Sequence, residues 1–263
     1  MKQNILNRWL PASLKTFLRQ CAVELVPSMR HLDMPKRLNH LRSLGVTPKV
    51  IYDVGAAQGN WARLAASTWP SAHIVGFEPN LSNQPLLEAA RSTLPKFQYF
   101  SCLLGACHKT IQYDERGNQT SLYDLTPSSS AKSTAEMLVL DEMVAEKRIP
   151  PPDFIKLDVQ GYELEVLKGA TTLIDKCEAI LIEVNFYRVH PKMPTVEEVI
   201  EFMRQRGLSW FDVMGILRRP SDDVLGYMDL LFVPSGHRLR QFSGHDWWGY
   251  QRQHDGSLRE PRL

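Results

Sequence analysis

Residues 51–61 read IYDVGAAQGNW. The run from Val50 to Val54 carries a single charge, Asp53, and passes straight into Gly55, Ala56, Gln58 and Gly59. An apolar run closed by glycines and followed by a helical pattern reads as a buried strand, a tight turn and a helix. Glycines placed there let the backbone approach a ligand at the carboxyl end of a sheet, where open α/β folds bind nucleotides. The dinucleotide fingerprint requires GxGxxG, but AAQ follows Gly55, so a pyrophosphate cradle is disfavoured.

On both sides of this stretch the texture changes. From Lys49 onward, short apolar runs alternate with helical stretches, the pattern of βαβ units. Strands are expected at 50–54, 73–78, 97–103, 154–158, 179–184, 209–214 and 229–233, and helices near 60–67, 84–92, 163–174 and 195–206. The fold class that follows is α/β: a Rossmann-like, mostly parallel seven-stranded sheet with helices on both faces. A longer insertion separates the third and fourth strands. It has candidate strands at 110–114 and 121–125, the loop TPSSSAKST and a helical run to about Lys147, which Pro150, Pro151 and Pro152 end.

Three regions are expected: a helical basic extension at 1–47, the main domain at 48–235 and a tail at 236–263. In the extension, helices are expected from Pro11 to Pro27 and from Pro35 to Leu44, the second closed by Gly45. Residues 1–49 hold nine Lys or Arg against Glu24 and Asp33, a surplus of +7 in a chain whose net charge is +2. The arm is read as a helical cap packed on the domain, with contact to an anionic membrane through residues 1–49 as the alternative. The tail, with Trp247, Trp248, Tyr250 and several arginines, is read as a strapped-down lid or a surface-binding segment.

A hydrophobic content of 43% with 23% charged residues excludes disordered and collagen-like classes. Cys21, Cys102, Cys107 and Cys177 form no CxxC pair and have no histidine at finger-like spacing, so reduced thiols are expected rather than a zinc site or a disulfide framework. With no apolar run approaching the ~18 residues of a membrane span, a cytoplasmic protein is expected, or one peripheral to the inner membrane face.

Chemistry is expected at the strand ends. Glu78, in HIVGFEPN, closes the strand after the glycine turn, where a carboxylate can accept hydrogen bonds from two ribose hydroxyls. DFIKLDVQGYELEVLKGA carries a buried strand into Asp158, which faces the same crevice; proton acceptor, acceptor-orienting group, cofactor ligand and helix cap are its open roles. Glu183 ends the following strand, and Tyr187 and His190 lie in the loop EVNFYRVHPKMP. Glu183 either shares the role of Asp158 or is structural, and His190 is either a catalytic imidazole or an ordinary loop histidine. Two carboxylates and a histidine can hold a divalent metal, but the spacing carries no metal-site signature, so none is expected.

The DxGxxxG spacing resembles motif I of class I methyltransferases. DVGAAQG, FEPN, FIKLDVQGYELEVLKGA, ILIEV and the late DLLFV resemble, in order and approximate spacing, the FkbM methyltransferase family over about residues 48–235. The resemblance implies S-adenosyl-L-methionine as cofactor. Asp53, Gly55, Ala56, Gln58 and Gly59 would form its loop, Glu78 with the adjoining Pro79 would hold the ribose, and Ser101 and Cys102 would flank the adenine. Family members often have ANxG where this chain has AAQG, so Ala57 is expected to loosen one hydrogen bond. The implied reaction is methyl transfer to a hydroxyl of a small-molecule, sugar or lipid-linked acceptor, with Asp158, Glu183 and His190 as catalytic candidates.

Two other classes compete. Many N-methyltransferases of nucleic acid or protein place an NPPY-like tetrapeptide after the fourth strand; here DVQG stands there. Aromatic residues are not interleaved with the basic ones as in RNA-binding modules, so no nucleic-acid partner is expected. A non-catalytic scaffold on the same fold is the second rival, and the intact glycine loop with Glu78 argues against it.

Overall fold

The computed structural model describes residues 33–116, 119–121, 132–219, 221–241, 251–252 and 258–259. The expected helix at 11–27, the loop at 126–131 and most of the tail lie outside them.

A helix, α1 (Met34–Ser43), precedes the main sheet. There follow β1 (Val50–Val54), α2 (Asn60–Thr68), β2 (His73–Phe77), α3 (Gln84–Thr93) and β3 (Phe97–Phe100). The insertion holds β4 (Leu103–Leu104), β5 (Lys109–Arg116), β6 (Gln119–Ser121), β7 (Lys132–Leu138) and α4 (Leu140–Lys147). The second half runs β8 (Phe154–Leu157), α5 (Glu163–Lys168), α6 (Thr171–Ile174), β9 (Ala179–Asn185), α7 (Val196–Gln205), β10 (Leu208–Arg218) and β11 (Leu225–Pro234). Two short strands, β12 (Gln251–Arg252) and β13 (Leu258–Arg259), pair in the tail.

The seven-stranded sheet has the order β10-β11-β9-β8-β1-β2-β3, parallel except for β11, which is antiparallel to both neighbours. Alternation along each strand assigns side chains to two apolar layers. Tyr52, Val54, Ile155, Leu157, Ile180 and Ile182 face α4 to α7, whereas Ile51, Ile74, Phe154 and Leu181 face α1 to α3. All five β1 residues are buried, Asp53 included.

Three expectations are revised. The run at 97–103 divides into β3 and β4, and β4 leaves the main sheet to join a four-stranded sheet of order β4-β7-β5-β6. Residues 132–138, read as loop and helix, form β7, because KSTAEML finds a partner for six consecutive residues along β5. This pairing has no local signal, since Ala, Glu, Met and Leu are helix formers in isolation. The helix at 163–174 breaks at Gly169, where an added Cβ would lie 2.1 Å from the carbonyl oxygen of Gly105.

The described part of the basic arm is a packed cap. Leu38 and Leu41 of α1 are buried, Arg37 pairs with Asp212 on β10, and Arg42 donates to the Thr68 carbonyl. The positive charge at these positions is turned toward the body of the protein. Among the described residues no helix is long and apolar enough to cross a membrane.

Candidate active site

Strand order reverses between β1 and β8, and ligands of open α/β sheets sit outside the carboxyl ends of the strands at such a point. An open cleft lies there, bordered by Gly55, Glu78, Cys102, Leu104, Asp158 and Tyr162 among others.

The turn after β1 is built for close approach. Gly55 has φ +79°, and a Cβ on it would fall 1.9 Å from the Asp158 carbonyl oxygen, so the loops after β1 and β8 touch backbone to backbone. The amides of Gly55 and Ala56 both donate to the Phe77 carbonyl, fixing the turn to the end of β2. Ala57, at φ +45°, donates its amide to Glu78 Oε2 at 2.8 Å, and Asn80 donates its amide to Oε1 at 2.9 Å. Burial raises the pKa of Glu78, opposed by these two amides and by a hydrogen bond from the Asn83 side chain. The Ala57 contact uses the backbone, so it survives the missing asparagine side chain.

A buried lysine organises the other wall. Lys156, with side-chain exposure of 9%, lies 3.3 Å from Asp53 Oδ1 and 3.3 Å from Asp158 Oδ2, and donates to the Gly55 carbonyl at 3.1 Å. Burial disfavours its charge, but Asp158 and Asp53 outweigh that and hold its pKa above the ordinary value. Asp53 is fully buried and neither of its oxygens has a directed hydrogen bond, so the ion pair holds it. Glu163, fully buried at the start of α5, accepts from the amides of Val159 and Gly161 through Oε1, and burial pushes its pKa up to about 7.

Register aligns these groups. Continuing each paired strand by one residue puts Ser101, Glu78, Gly55 and Asp158 at one level along the carboxyl edge, with Glu183, Asp229 and Gly215 completing the row across β9, β11 and β10. Glu183 is 8% exposed, and its pKa is driven well above the carboxylate range by burial first, then by Asp158, Glu163 and Asp229.

Of the residues singled out from sequence, Gly55, Glu78, Pro79, Cys102 and Asp158 border the cleft. Asp53 lies beneath it, and Ala56, Gln58 and Gly59 form the turn behind. Ser101 is exposed and accepts from Gln84 at 2.9 Å. His190 stands in the loop after β9, its Nδ1 accepting from the Lys192 amide, away from the cleft lining. That loop nonetheless touches the site, because Met193 packs against Gly161. Sequence reasoning missed Lys156, Glu163 and Asp229. A lysine inside the apolar run FIKL was the available signal, since a buried lysine requires carboxylate partners.

A glycine turn at the switch point, facing a carboxylate held by two amides, defines a Rossmann-like nucleotide-cofactor domain. The chain belongs to the FkbM methyltransferase family: residues 53–209 match the Methyltransferase FkbM domain. It is 27% identical over 184 residues to hexuronic acid methyltransferase AglP of Haloferax volcanii, an alignment covering 67% of this chain and 70% of the relative. Among solved structures, magnesium protoporphyrin IX methyltransferase from Synechocystis PCC 6803 is 12% identical, with TM-score 0.46 over 77% of this chain and 78% of that one. Precorrin-6y C5,15-methyltransferase from Geobacter metallireducens is 11% identical, with TM-score 0.44 over 73% and 84%.

Proposed function

We propose that this methyltransferase uses S-adenosylmethionine to methylate a hydroxyl of a sugar acceptor. The observation that supports this best is the row at the sheet edge, with the amide-held Glu78 on one side of the Gly55 gap and Asp158 on the other. The residues present fit the cofactor. The Glu78 carboxylate at the cleft wall can accept from a ribose hydroxyl, and Phe77, Cys102, Leu103 and Leu104 offer apolar lining for a base. When bound, S-adenosylmethionine supplies a methyl group already activated on a sulfonium.

The protein's own residues then bind, align and manage one proton. Lys156, pinned between Asp53 and the Gly55 carbonyl, fixes the Asp158 carboxylate, which would orient the acceptor hydroxyl and take its proton while the methyl passes from the sulfonium to the oxygen, leaving the thioether behind. The sugar class rests on the relative that acts on hexuronic acid.

The test is transfer of a radiolabelled methyl group to neutral sugars, uronates and glycolipids, with amines and RNA as controls. Label in a sugar ether supports the proposal, and label confined to amine or RNA refutes it. Asp158→Asn should lower single-turnover rate on the order of 10²–10⁴-fold with cofactor affinity little changed. Lost cofactor affinity, with turnover recovered at saturation, would make Asp158 a cofactor ligand instead.

A further inference from the structure

Beyond Asp158 the row continues into two carboxyls that neither the cofactor cleft nor the lysine network uses. Glu183 on β9 stands directly opposite Asp229 on β11, and two residues further toward the edge Asn185 stands opposite Tyr227. Alternation places all four on the sheet face that also carries Lys156 and Asp158. Asp229 stands opposite Gly215 of β10, and a Cβ there would meet its Oδ2 at 2.3 Å, so the glycine makes room for the carboxyl. Glu183 is more than nine-tenths buried, yet makes no hydrogen bond among the described residues. Asp229, Asn185 and Tyr227 are only partly buried.

We propose that Glu183 and Asp229, flanked by Asn185 and Tyr227, form the acceptor subsite, and that it takes an uncharged or cationic hydroxyl-bearing sugar while rejecting a sugar carboxylate. The proposal deepens the sugar O-methyltransferase reading and rests on it, but it sets this chain's acceptor apart from the hexuronic acid of the relative.

The physical case begins with charge. Like charges directly opposite on adjacent strands destabilise a sheet, and burial sharpens the cost. The groups facing the pair are Asp158, Glu163 and Lys156 from β8 and its following turn and helix, and Tyr227 from β11. Lys156 is the one cation among them, and it is already held by Asp53 and Asp158. Burial and Asp158 push Asp229 up to about 6, and Glu183 is shifted upward further. Burial and the surrounding carboxylates therefore both favour a protonated carboxyl in the pair, Glu183 more than Asp229. A carboxyl beside a carboxylate offers one donor and several acceptors, which matches a hydroxyl that both gives and takes a hydrogen bond. A uronate carboxylate would meet Asp158 and the remaining negative charge of the pair, with no free cation among these groups to receive it. A bound hydroxyl would give the Glu183 carboxyl a hydrogen-bond partner.

The experiment is calorimetric titration of the full chain, saturated with S-adenosylhomocysteine, using methyl glucoside, glucosamine and glucuronate. The wild type should bind the glucoside or glucosamine at least about tenfold more tightly than glucuronate, as expected for a buried like-charge penalty of a kcal/mol or more. Asp229→Asn should narrow that preference several-fold without moving S-adenosylhomocysteine affinity, whereas Glu183→Gln, which keeps the Asp229 charge, should weaken all three sugars and keep the preference. Both substitutions put a neutral amide where burial already disfavours the charged form, so folding should not suffer. Preference for glucuronate, an unchanged preference in Asp229→Asn, or no binding of any of the three sugars overturns the subsite. Sugars that bind as expected but receive no methyl group would sink the methyltransfer reading and leave the subsite standing; methylation untouched by either variant would do the reverse.

Discussion

Gly55→Ala tests the contact on which the candidate site depends. The added Cβ would sit 1.9 Å from the Asp158 carbonyl oxygen and 2.8 Å from its carbon, whereas real Cβ contacts essentially never fall under 3.0 Å. The two loops would have to part by about 1.1 Å. Neither is free to move: Gly55 donates to Phe77, Asp158 donates to Val54, and Lys156 clamps the Gly55 carbonyl. The left-handed φ of +79° costs alanine about 1 kcal/mol more. With overpacking and weakened hydrogen bonds the total should reach about 2–5 kcal/mol, a fall in Tm of about 5 °C or more. Gly207→Ala is the control, because Gly207 has φ +70° and no atom within 4 Å of its added Cβ. It should pay backbone strain alone, about 1 kcal/mol or about 2–4 °C. Thermal unfolding of both variants with and without S-adenosylhomocysteine separates the two effects. At about 100 times Kd the ligand should stabilise Gly207→Ala by about 2.7 kcal/mol and leave Gly55→Ala nearly unshifted. Equal losses in the two variants, with equal ligand stabilisation, would refute the close-approach argument.

Glu78→Ala should weaken S-adenosylmethionine binding by about 1–3 kcal/mol by calorimetry; unchanged affinity would remove Glu78 from ribose recognition. Lys156→Met strands Asp53 as a buried charge and should cost about 3–5 kcal/mol in denaturant unfolding, and Asp53→Asn added to it should recover part of the loss. A Lys156→Met protein as stable as its parent would show that the ion pair is not needed. Glu163 has a folded pKa of about 7 against 4.5 for the free side chain. The folded state therefore holds its proton more tightly, and this contribution to stability is full below pH 4.5 and lost as pH rises toward 7. Glu163→Gln should flatten the stability profile in that window, and a profile that keeps its slope would place the shift elsewhere.

The order of strands and helices was written in local pattern. The βαβ alternation, the glycine turn after Asp53 and the acidic strand ends at Glu78, Asp158 and Glu183 depend on neighbours a few residues apart, where periodicity and turn chemistry are decided. Tertiary pairing decided the rest. β7 exists because β5 lies beside it, a partnership that helix-forming residues cannot announce. Asp53 reads as a loop ligand in sequence, yet strand register sets it beside Lys156, 103 positions away, and buries it completely. Asp229 opens an ordinary apolar strand and acquires meaning only opposite Glu183. Their ionisation was illegible for the same reason: it is set by burial and by charges brought together from four strands, and neither exists until the sheet is assembled.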